Sequence, residues 1–394
     1  MKPLPPLLLA ALASCVQAGG PAGYDKQVLD PEFRAEGASF ADFNRDGKPD
    51  VVAGPWWYEG PAFTSRQEVR KPQSFKPENY SDNFLTHTGD FNADGWPDIL
   101  YIPFPGKASY WYENPGRNGG EWKPHLAFPV TDNESPQMVD MDADGRLDLL
   151  FNTGGQMGYA TYDPARPDQV WQFKAVSPKK HYHKWTHGIG AGDVNGDGRI
   201  DLVEATGWWE QPAKPAADGF WTFHPFTFAE AGAQMYVYDV DGDGKGDLIT
   251  SWHCHLYGLL WWKQVRDAQG VIGWQRQVIL DPKPDLKSPD LRISQMHAMA
   301  LVDINGDGLK DLVTGKRWWA HGPKGDVETN NPAVVYWFEL QRTNDGARFI
   351  PHLVDSDSGV GTQVEAADLN GDGIPDILVS NKKGSALHLS RPRN

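Results

Sequence analysis

The sequence predicts an all-β protein, a seven-bladed β-propeller with an Asp-rich loop between the first two strands of each blade. Three observations predict it: one loop pattern recurs seven times, a β-type run follows every copy, and aromatic segments repeat in step behind them. Repetition at intervals of 48, 50, 53, 46, 64 and 65 residues replaces the two or three domains that 394 residues would otherwise suggest. With 42 Gly, 31 Pro and 40% hydrophobic residues, the chain can build many turns around a globular core.

The loop reads Asp-x-[Asp/Asn]-x-Asp-Gly-x-x-Asp. Its oxygen-bearing side chains are Asp42, Asn44, Asp46 and Asp50 in the first copy, Asp90, Asn92, Asp94 and Asp98 in the second, and Asp140, Asp142, Asp144 and Asp148 in the third. Then come Asp193, Asn195, Asp197 and Asp201; Asp239, Asp241, Asp243 and Asp247; Asp303, Asn305, Asp307 and Asp311; and Asp368, Asn370, Asp372 and Asp376. Oxygens at positions 1, 3, 5 and 9, with a backbone carbonyl at 7, suit a hard cation, so about one Ca²⁺ per blade is expected. Position 6 is Gly in every copy, as a sharp left-handed turn requires. An EF-hand would need a Glu at position 12 and flanking helices. Here Val51-Val52, Ile99-Leu100, Leu149-Leu150, Leu202-Val203, Leu248-Ile249, Leu312-Val313 and Ile377-Leu378 follow, so the loop joins two strands.

Behind these lie third strands rich in aromatics, such as Tyr110-Trp111-Tyr112, Trp208-Trp209, Leu260-Trp261-Trp262 and Val335-Tyr336-Trp337. Trp57, Trp111, Trp209, Trp261 and Trp337 read as packing between blades. His125 and His352 fall in fourth strands and read as structural. The last unit lacks a fourth strand, and Tyr24 to Leu29 has the fourth-strand pattern. That segment is expected to close the last blade and remove the open sheet edge, making residues 21–394 one domain.

The repeats resemble the FG-GAP/VCBS class of calcium-binding propeller repeats over essentially residues 24–390. That class is common in secreted bacterial proteins and related to the integrin α-chain propeller. The resemblance implies the fold and calcium; the class itself includes adhesins, lectin-like modules and lyases.

A net charge of -15 argues against a nucleic-acid or anionic-membrane surface. The acidity is local, because the seven loops hold 23 of the 52 acidic residues. Residues 1–20 read as an export leader, Lys2 followed by the apolar stretch Leu7 to Ala13. Leu12-Ala13-Ser14-Cys15 matches a lipobox, and Val16-Gln17-Ala18 an ordinary cleavage site. The expected location is secreted, periplasmic, or cell-surface through a lipid on Cys15, the only membrane contact expected. Cys254 is the one other cysteine, so no internal disulfide is expected.

In each blade the start of strand one and the end of strand two meet on the face opposite the Asp-rich loop. Six positions before each first Asp stand Glu36, Phe84, Glu134, His187, Ala233, His297 and Thr362. The second-strand ends bring His253, His255, Lys316, Arg317, Trp318, Trp319, Lys382 and Lys383 to the same mouth. His187, His255 and His297 are candidate ligands of Zn²⁺ or another divalent metal, with Glu36 or Glu365 nearby. His187, His253, His297, Lys316 and Arg317 are the catalytic candidates, and Glu36, His183, Trp318, Trp319, Lys382 and Lys383 the substrate-binding ones.

Imidazoles, cations, carboxylates and indoles together point to a carbohydrate or sugar-derived small molecule. The economical reaction is β-elimination on a uronate or keto-sugar, a carbon–oxygen lyase reaction. A metal or cation would stabilise the enolate and a His or Tyr would remove the proton. In outline this is similar to the metal-bearing propeller of aldos-2-ulose dehydratase and to propeller-fold polysaccharide lyases. Two other readings stand beside it: a non-catalytic carbohydrate-binding or adhesion propeller, and a docking scaffold for a protein partner. The sequence has no Ser-His-Asp pattern and no phosphate-binding Gly-rich loop.

Overall fold

In a computed structural model that describes residues 20–214 and 219–392, every Asp-rich loop turns on two left-handed positions. The position-6 glycines have φ between 82° and 88°. A Cβ built on Gly145 or Gly308 would meet nothing within 4 Å, so the demand for glycine is torsional rather than steric. Position 4 is left-handed too: Gly196, Gly242, Gly306 and Gly371 in four copies, and Arg45, Ala93 and Ala143 at φ of 57°, 56° and 58° in the others. Residues 1–19, with both cleavage readings and Cys15, lie outside the described residues.

The last Asp of each loop opens the following strand and ties it down. Asp311 is fully buried; its carboxylate accepts from Ile304 N–H at 2.9 Å and from Leu340 N–H, on the third strand, at 2.8 Å. Asp98, Asp201, Asp247 and Asp376 make the equivalent pair of bonds. Five of the seven loops are thereby joined to the third-strand segment of their own unit.

The described residues form 27 strands and one short 3-10 turn, Gly116–Asn118. β1 (Gly23–Asp30) comes first. β2 (Ala38–Ala41), β3 (Asp50–Ala53), β4 (Trp56–Tyr58) and β5 (Arg66–Glu68) make a four-stranded sheet. β6 (Leu85–Gly89), β7 (Asp98–Ile102), β8 (Lys107–Glu113), β9 (Lys123–Val139), β10 (Asp148–Thr153), β11 (Gln156–Thr161) and β12 (Gln172–Ala175) make a seven-stranded one. Within it the long β9 pairs with β8 through its first part and with β10 through its last.

An eight-stranded sheet follows: β13 (Ile189–Gly192), β14 (Asp201–Glu204), β15 (Gly207–Glu210), β16 (Thr222–Pro225), β17 (Gln234–Tyr238), β18 (Asp247–Ser251), β19 (Leu259–Arg266) and β20 (Ile272–Leu280). A parallel β13–β17 contact joins its two antiparallel halves. β21 (Met299–Val302), β22 (Asp311–Gly315), β23 (Val335–Thr343) and β24 (Gly346–Asp355) form another four-stranded sheet. β25 (Val364–Ala367), β26 (Asp376–Asn381) and β27 (Gly384–Arg391) complete the last, in which β27 pairs antiparallel with β1. The fold is all-β, with curled sheets consistent with a β-propeller.

Trp111, Trp209, Trp261 and Trp337 are buried in apolar clusters, and Trp337 joins Val313 to Val364 and Ile377 of the next sheet. A recurrent stack holds the third strand to the fourth. Trp111 lies 4.2 Å from His125, Trp208 4.1 Å from His224 and Trp337 4.2 Å from His352, each imidazole also bonded to Glu113, Glu210 or Glu339. His125 and His352 therefore brace strand pairs.

First strands from most of the repeats line a central space of about 470 Å³. Glutamines link first-strand segments of different repeats there. Gln363 exchanges hydrogen bonds with Thr86 at 2.8 and 2.7 Å, and Gln234 accepts from Met299 N–H and donates to Thr362 O. Glu365 hangs in this space, held by Gln363 at 2.7 Å, and burial raises it to about 7. It belongs to the channel and is absent from the lining of the mouth cavity.

Candidate metal centre at the channel mouth

Three imidazoles arrive from three repeats. His187 stands just before β13, and its Nδ1 lies 2.7 Å from Trp185 O, the acceptor that fixes the ring. His297 stands just before β21, 2% exposed, its Nδ1 3.4 Å from Gln295 O and its Nε2 without a partner. His255 lies in the turn after β18, whose backbone is pinned by a bridge between Ala231 and His253 and by Cys254 N–H donating to Ala231 O at 2.7 Å. A backbone acceptor on Nδ1 leaves the Nε2 lone pair free. The Nε2 atoms of His187 and His255 are 3.2 Å apart, and the His255 and His297 ring centres 4.4 Å. With Cys254 Sγ, the donor atoms of these three rings all lie within 4.8 Å of one another.

The surroundings favour positive charge at this point. Glu134 Oε2 is 3.6 Å from His187 Nε2. Burial works against that carboxylate, but His187 and Arg317 outweigh it and hold it down at about 2. Burial also penalises a charged His187, yet Cys254 and Glu134 raise it well above the usual imidazole value. His297 goes the other way: burial, then Arg317, keep it neutral. On the far side of His255, Asp326 Oδ1 lies 3.6 Å from its Nδ1 and 2.8 Å from His321 Nδ1. His187 and His255 of the cluster line a cavity of about 420 Å³, together with Tyr80, Phe84, Phe104, Trp185 and His321. A larger groove of about 600 Å³ beside the first two Asp-rich loops, lined by Arg45, Trp96 and Arg117, has no imidazole or thiol in its wall.

The structure redistributes the other expected site residues. Arg317 lines the cavity, but its guanidinium is clamped by Glu36 at 3.0 Å and Glu134 at 3.3 Å, so its charge is already answered and it positions carboxylates. Glu36, 1% exposed, is its partner rather than a substrate contact. Lys316 points away, donating to Ser294 Oγ and Glu328 O, both at 2.7 Å. Lys382 donates to Trp319 O at 2.8 Å, and Lys383 pairs with Asp357 at 2.8 Å. Trp318 and Trp319 stack on each other at 4.0 Å; Trp318 lines a separate surface pocket with Lys382 and Lys383. His183 caps its own turn, accepting from Trp185 N–H at 3.1 Å, and His253 likewise accepts from His255 N–H at 3.2 Å. Cys254, His321 and Asp326 were not singled out as site residues by sequence reasoning. The His-Cys-His run at 253–255 was the available signal for the first; the other two sit in an insertion without periodicity.

The loop carboxylates fit a divalent cation. Asp140, Asp142 and Asp148, and likewise Asp239, Asp241 and Asp247, bring oxygens within 4.8 Å of one another in the two copies with Asp at position 3. Burial, with neighbouring Asp residues adding to it, raises Asp98 to about 8 and Asp311 to about 7. A cation among such carboxylates relieves both penalties. Side chains partly do so already, since Arg146 pairs with Asp144, Arg199 with Asp197 and Lys245 with Asp243.

The FG-GAP-like repeat family matches residues 90–151 and 303–379, stretches that contain four of the Asp-rich loops. The chain carries FG-GAP-like repeats over these two stretches. A T-cell immunomodulatory protein homolog of Plasmodium falciparum (isolate 3D7) is 30% identical to it over 139 residues, which are 30% of this chain and 18% of that protein. The match with this curated relative therefore spans under a fifth of its length. A chain of the BBS1N–ARL6DN complex superposes on the FG-GAP chain with a TM-score of 0.51 at 11% identity, covering 94% and 98% of the two, a likeness of fold. Rhamnogalacturonan lyase YesW gives 0.45 at 12% identity, over 95% of this chain and 75% of that one. A lectin of Agrocybe aegerita, described as recognising non-reducing terminal N-acetylglucosamine, gives 0.46 at 16% identity over 81% and 80%.

Proposed function

We propose that this FG-GAP chain is an exported, calcium-loaded, seven-bladed propeller that acts on a sugar-derived small molecule at a transition-metal centre in its channel mouth. The reaction class we assign is metal-assisted β-elimination on a keto-sugar or uronate, a carbon–oxygen lyase activity. One observation carries the reading: His187, His255 and His297 converge from three repeats on one point beside an aromatic-walled cavity of about 420 Å³. Such a donor set suits Zn²⁺ or another first-row divalent ion, and the ion supplies Lewis acidity toward a substrate oxygen. Tyr80, Phe104 and Trp185 offer ring faces to a sugar. His321, held by Asp326 at 2.8 Å, stands at the rim where a proton could be taken up. Arg317 and Lys316 have no part as free oxyanion cations, because Glu36 and Glu134 already answer the Arg317 charge and Lys316 donates to Ser294 and Glu328.

The loops would each hold one Ca²⁺ through positions 1, 3, 5 and 9, stapling the strands in a domain that has no disulfide among its described residues. A second reading, a non-catalytic glycan-binding propeller, is favoured by the stacked Trp318–Trp319 pair. Elemental analysis of wild type beside His187→Ala/His297→Ala separates the two. Calcium in both proteins, with one equivalent of transition metal lost only in the double variant, supports the metal centre. Calcium alone in both sinks it and leaves the glycan-binding reading.

A further inference from the structure

We infer that the sulfur of Cys254 is a fourth donor to the mouth metal, making the centre a mixed imidazole–thiolate site for a thiophilic first-row ion. The inference rests on the metal reading above and narrows it. Cys254 is completely buried and has no disulfide partner. Its burial is not packing alone, because the pinned turn at 253–255 delivers Sγ to the same point as the His187, His255 and His297 nitrogens.

Two independent features at that point ask for an ion. The buried His297 Nε2 has no hydrogen-bond partner. The Nε2 atoms of His187 and His255 face each other at 3.2 Å. That separation is close to the edge of a tetrahedron with metal–nitrogen bonds of about 2.0–2.1 Å, which is about 3.3–3.4 Å. Backbone acceptors at Nδ1 of His187 and His297 and the Asp326 carboxylate beside His255 supply the outer shell that orients ligating imidazoles.

The set discriminates between metals. Ca²⁺ and Mg²⁺ need oxygens, and the two carboxylates nearby are engaged, Glu134 with Arg317 at 3.3 Å and Asp326 with His321 at 2.8 Å. Thiolate with imidazole selects Zn²⁺, Co²⁺ or copper. Binding displaces to solvent the thiol proton and any proton on the ligating imidazole nitrogens. Four protein donors fill a tetrahedron, so a substrate oxygen reaches the ion by expanding the shell to five.

The test is X-ray absorption on calcium-saturated, full-length mature protein loaded with one equivalent of Zn²⁺, and the electronic spectrum of the Co²⁺ form. We expect a sulfur shell at about 2.3 Å beside nitrogen at about 2.0–2.1 Å. The Co²⁺ protein should carry a thiolate-to-cobalt charge-transfer band in the near ultraviolet. Cys254→Ser should keep one bound Co²⁺, lose that band, and bind at least about 10-fold more weakly. A wild-type shell of nitrogen and oxygen alone would overturn the thiolate while the imidazole centre stood. Wild-type protein that takes up neither Zn²⁺ nor Co²⁺ would overturn both. The absorption measurement needs no variant, so it decides the matter even if Cys254→Ser fails to fold.

Discussion

Replacing Arg317 with Met should destabilise the protein by about 3–5 kcal/mol, because it strands two carboxylates that have left water. Arg317 is 2% exposed and reaches Glu36 at 3.0 Å and Glu134 at 3.3 Å, carboxylates on residues 1% and 6% exposed. Glu36 Oε2 has no hydrogen-bond partner among the described residues, and beyond Arg317, Glu134 is faced by His187 at 3.6 Å and by His255. Met fills most of the volume without the charge, so the loss reports electrostatics more than a cavity. Chemical denaturation at 25 °C in calcium-saturated buffer gives the number. The matching variant Arg317→Met/Glu36→Gln/Glu134→Gln removes all three charges and should recover most of the loss, a coupling that a cycle isolates. A cost below about 1 kcal/mol for Arg317→Met would refute the clamp. It would return Arg317 to the role of a free cation for substrate.

Two further outcomes follow from the loops. Asp98 is raised to about 8, Asp148, Asp201 and Asp311 to about 7, and Asp50 and Asp247 to about 6, burial being the first cause in each. Without calcium the folded chain holds protons there that the unfolded chain releases near about pH 4, so its stability is greatest below that pH and declines toward about pH 8. Excess EDTA should therefore lower the melting temperature more at about pH 8 than at about pH 5.5, with calcium restoring most at the higher pH; a flat or rising EDTA profile would contradict the calcium loops. Ala143→Gly should stabilise by about 0.5–1 kcal/mol in the same denaturation assay, since Ala143 sits at φ 58° where other copies use Gly; no gain would mean that the left-handed turn carries no strain.

How far the sequence could be read depended on how often a feature repeats. The position-6 glycine and the β-run after each loop recur in every copy, so averaging over copies exposed the strand–loop–strand unit. The second left-handed position recurs as strictly in conformation but not in residue type: Arg45, Ala93 and Ala143 conceal it. At the mouth nothing repeats, and strand alternation was the rule that could still have helped. Neighbours in an extended segment point opposite ways, so Lys316 and Arg317 could not both face the cavity. Arg317 turns toward Glu36 and Glu134 and Lys316 toward Ser294 and Glu328. The shared register of His187 and His297, six residues before their loops, was legible because it is tied to the repeat. Tyr80, Phe104, Trp185 and His321 come from connections whose course the repeat does not set.

That contrast is also an argument about where chemistry can reside. In five of the units the final loop aspartate bonds both its own loop and the third strand, as Asp311 does through Ile304 and Leu340, so substitutions there spend stability at a repeated joint. The mouth residue six positions before the first loop aspartate is not fixed in type: it is Glu36, Phe84, Glu134, His187, Ala233, His297 or Thr362 in otherwise similar units. Similar supports thus present side chains free to differ from one repeat to the next. Two copies of the choice, His187 and His297, meet His255 from a facing second-strand turn, while Glu36 and Glu134 from other copies fix Arg317 beside them.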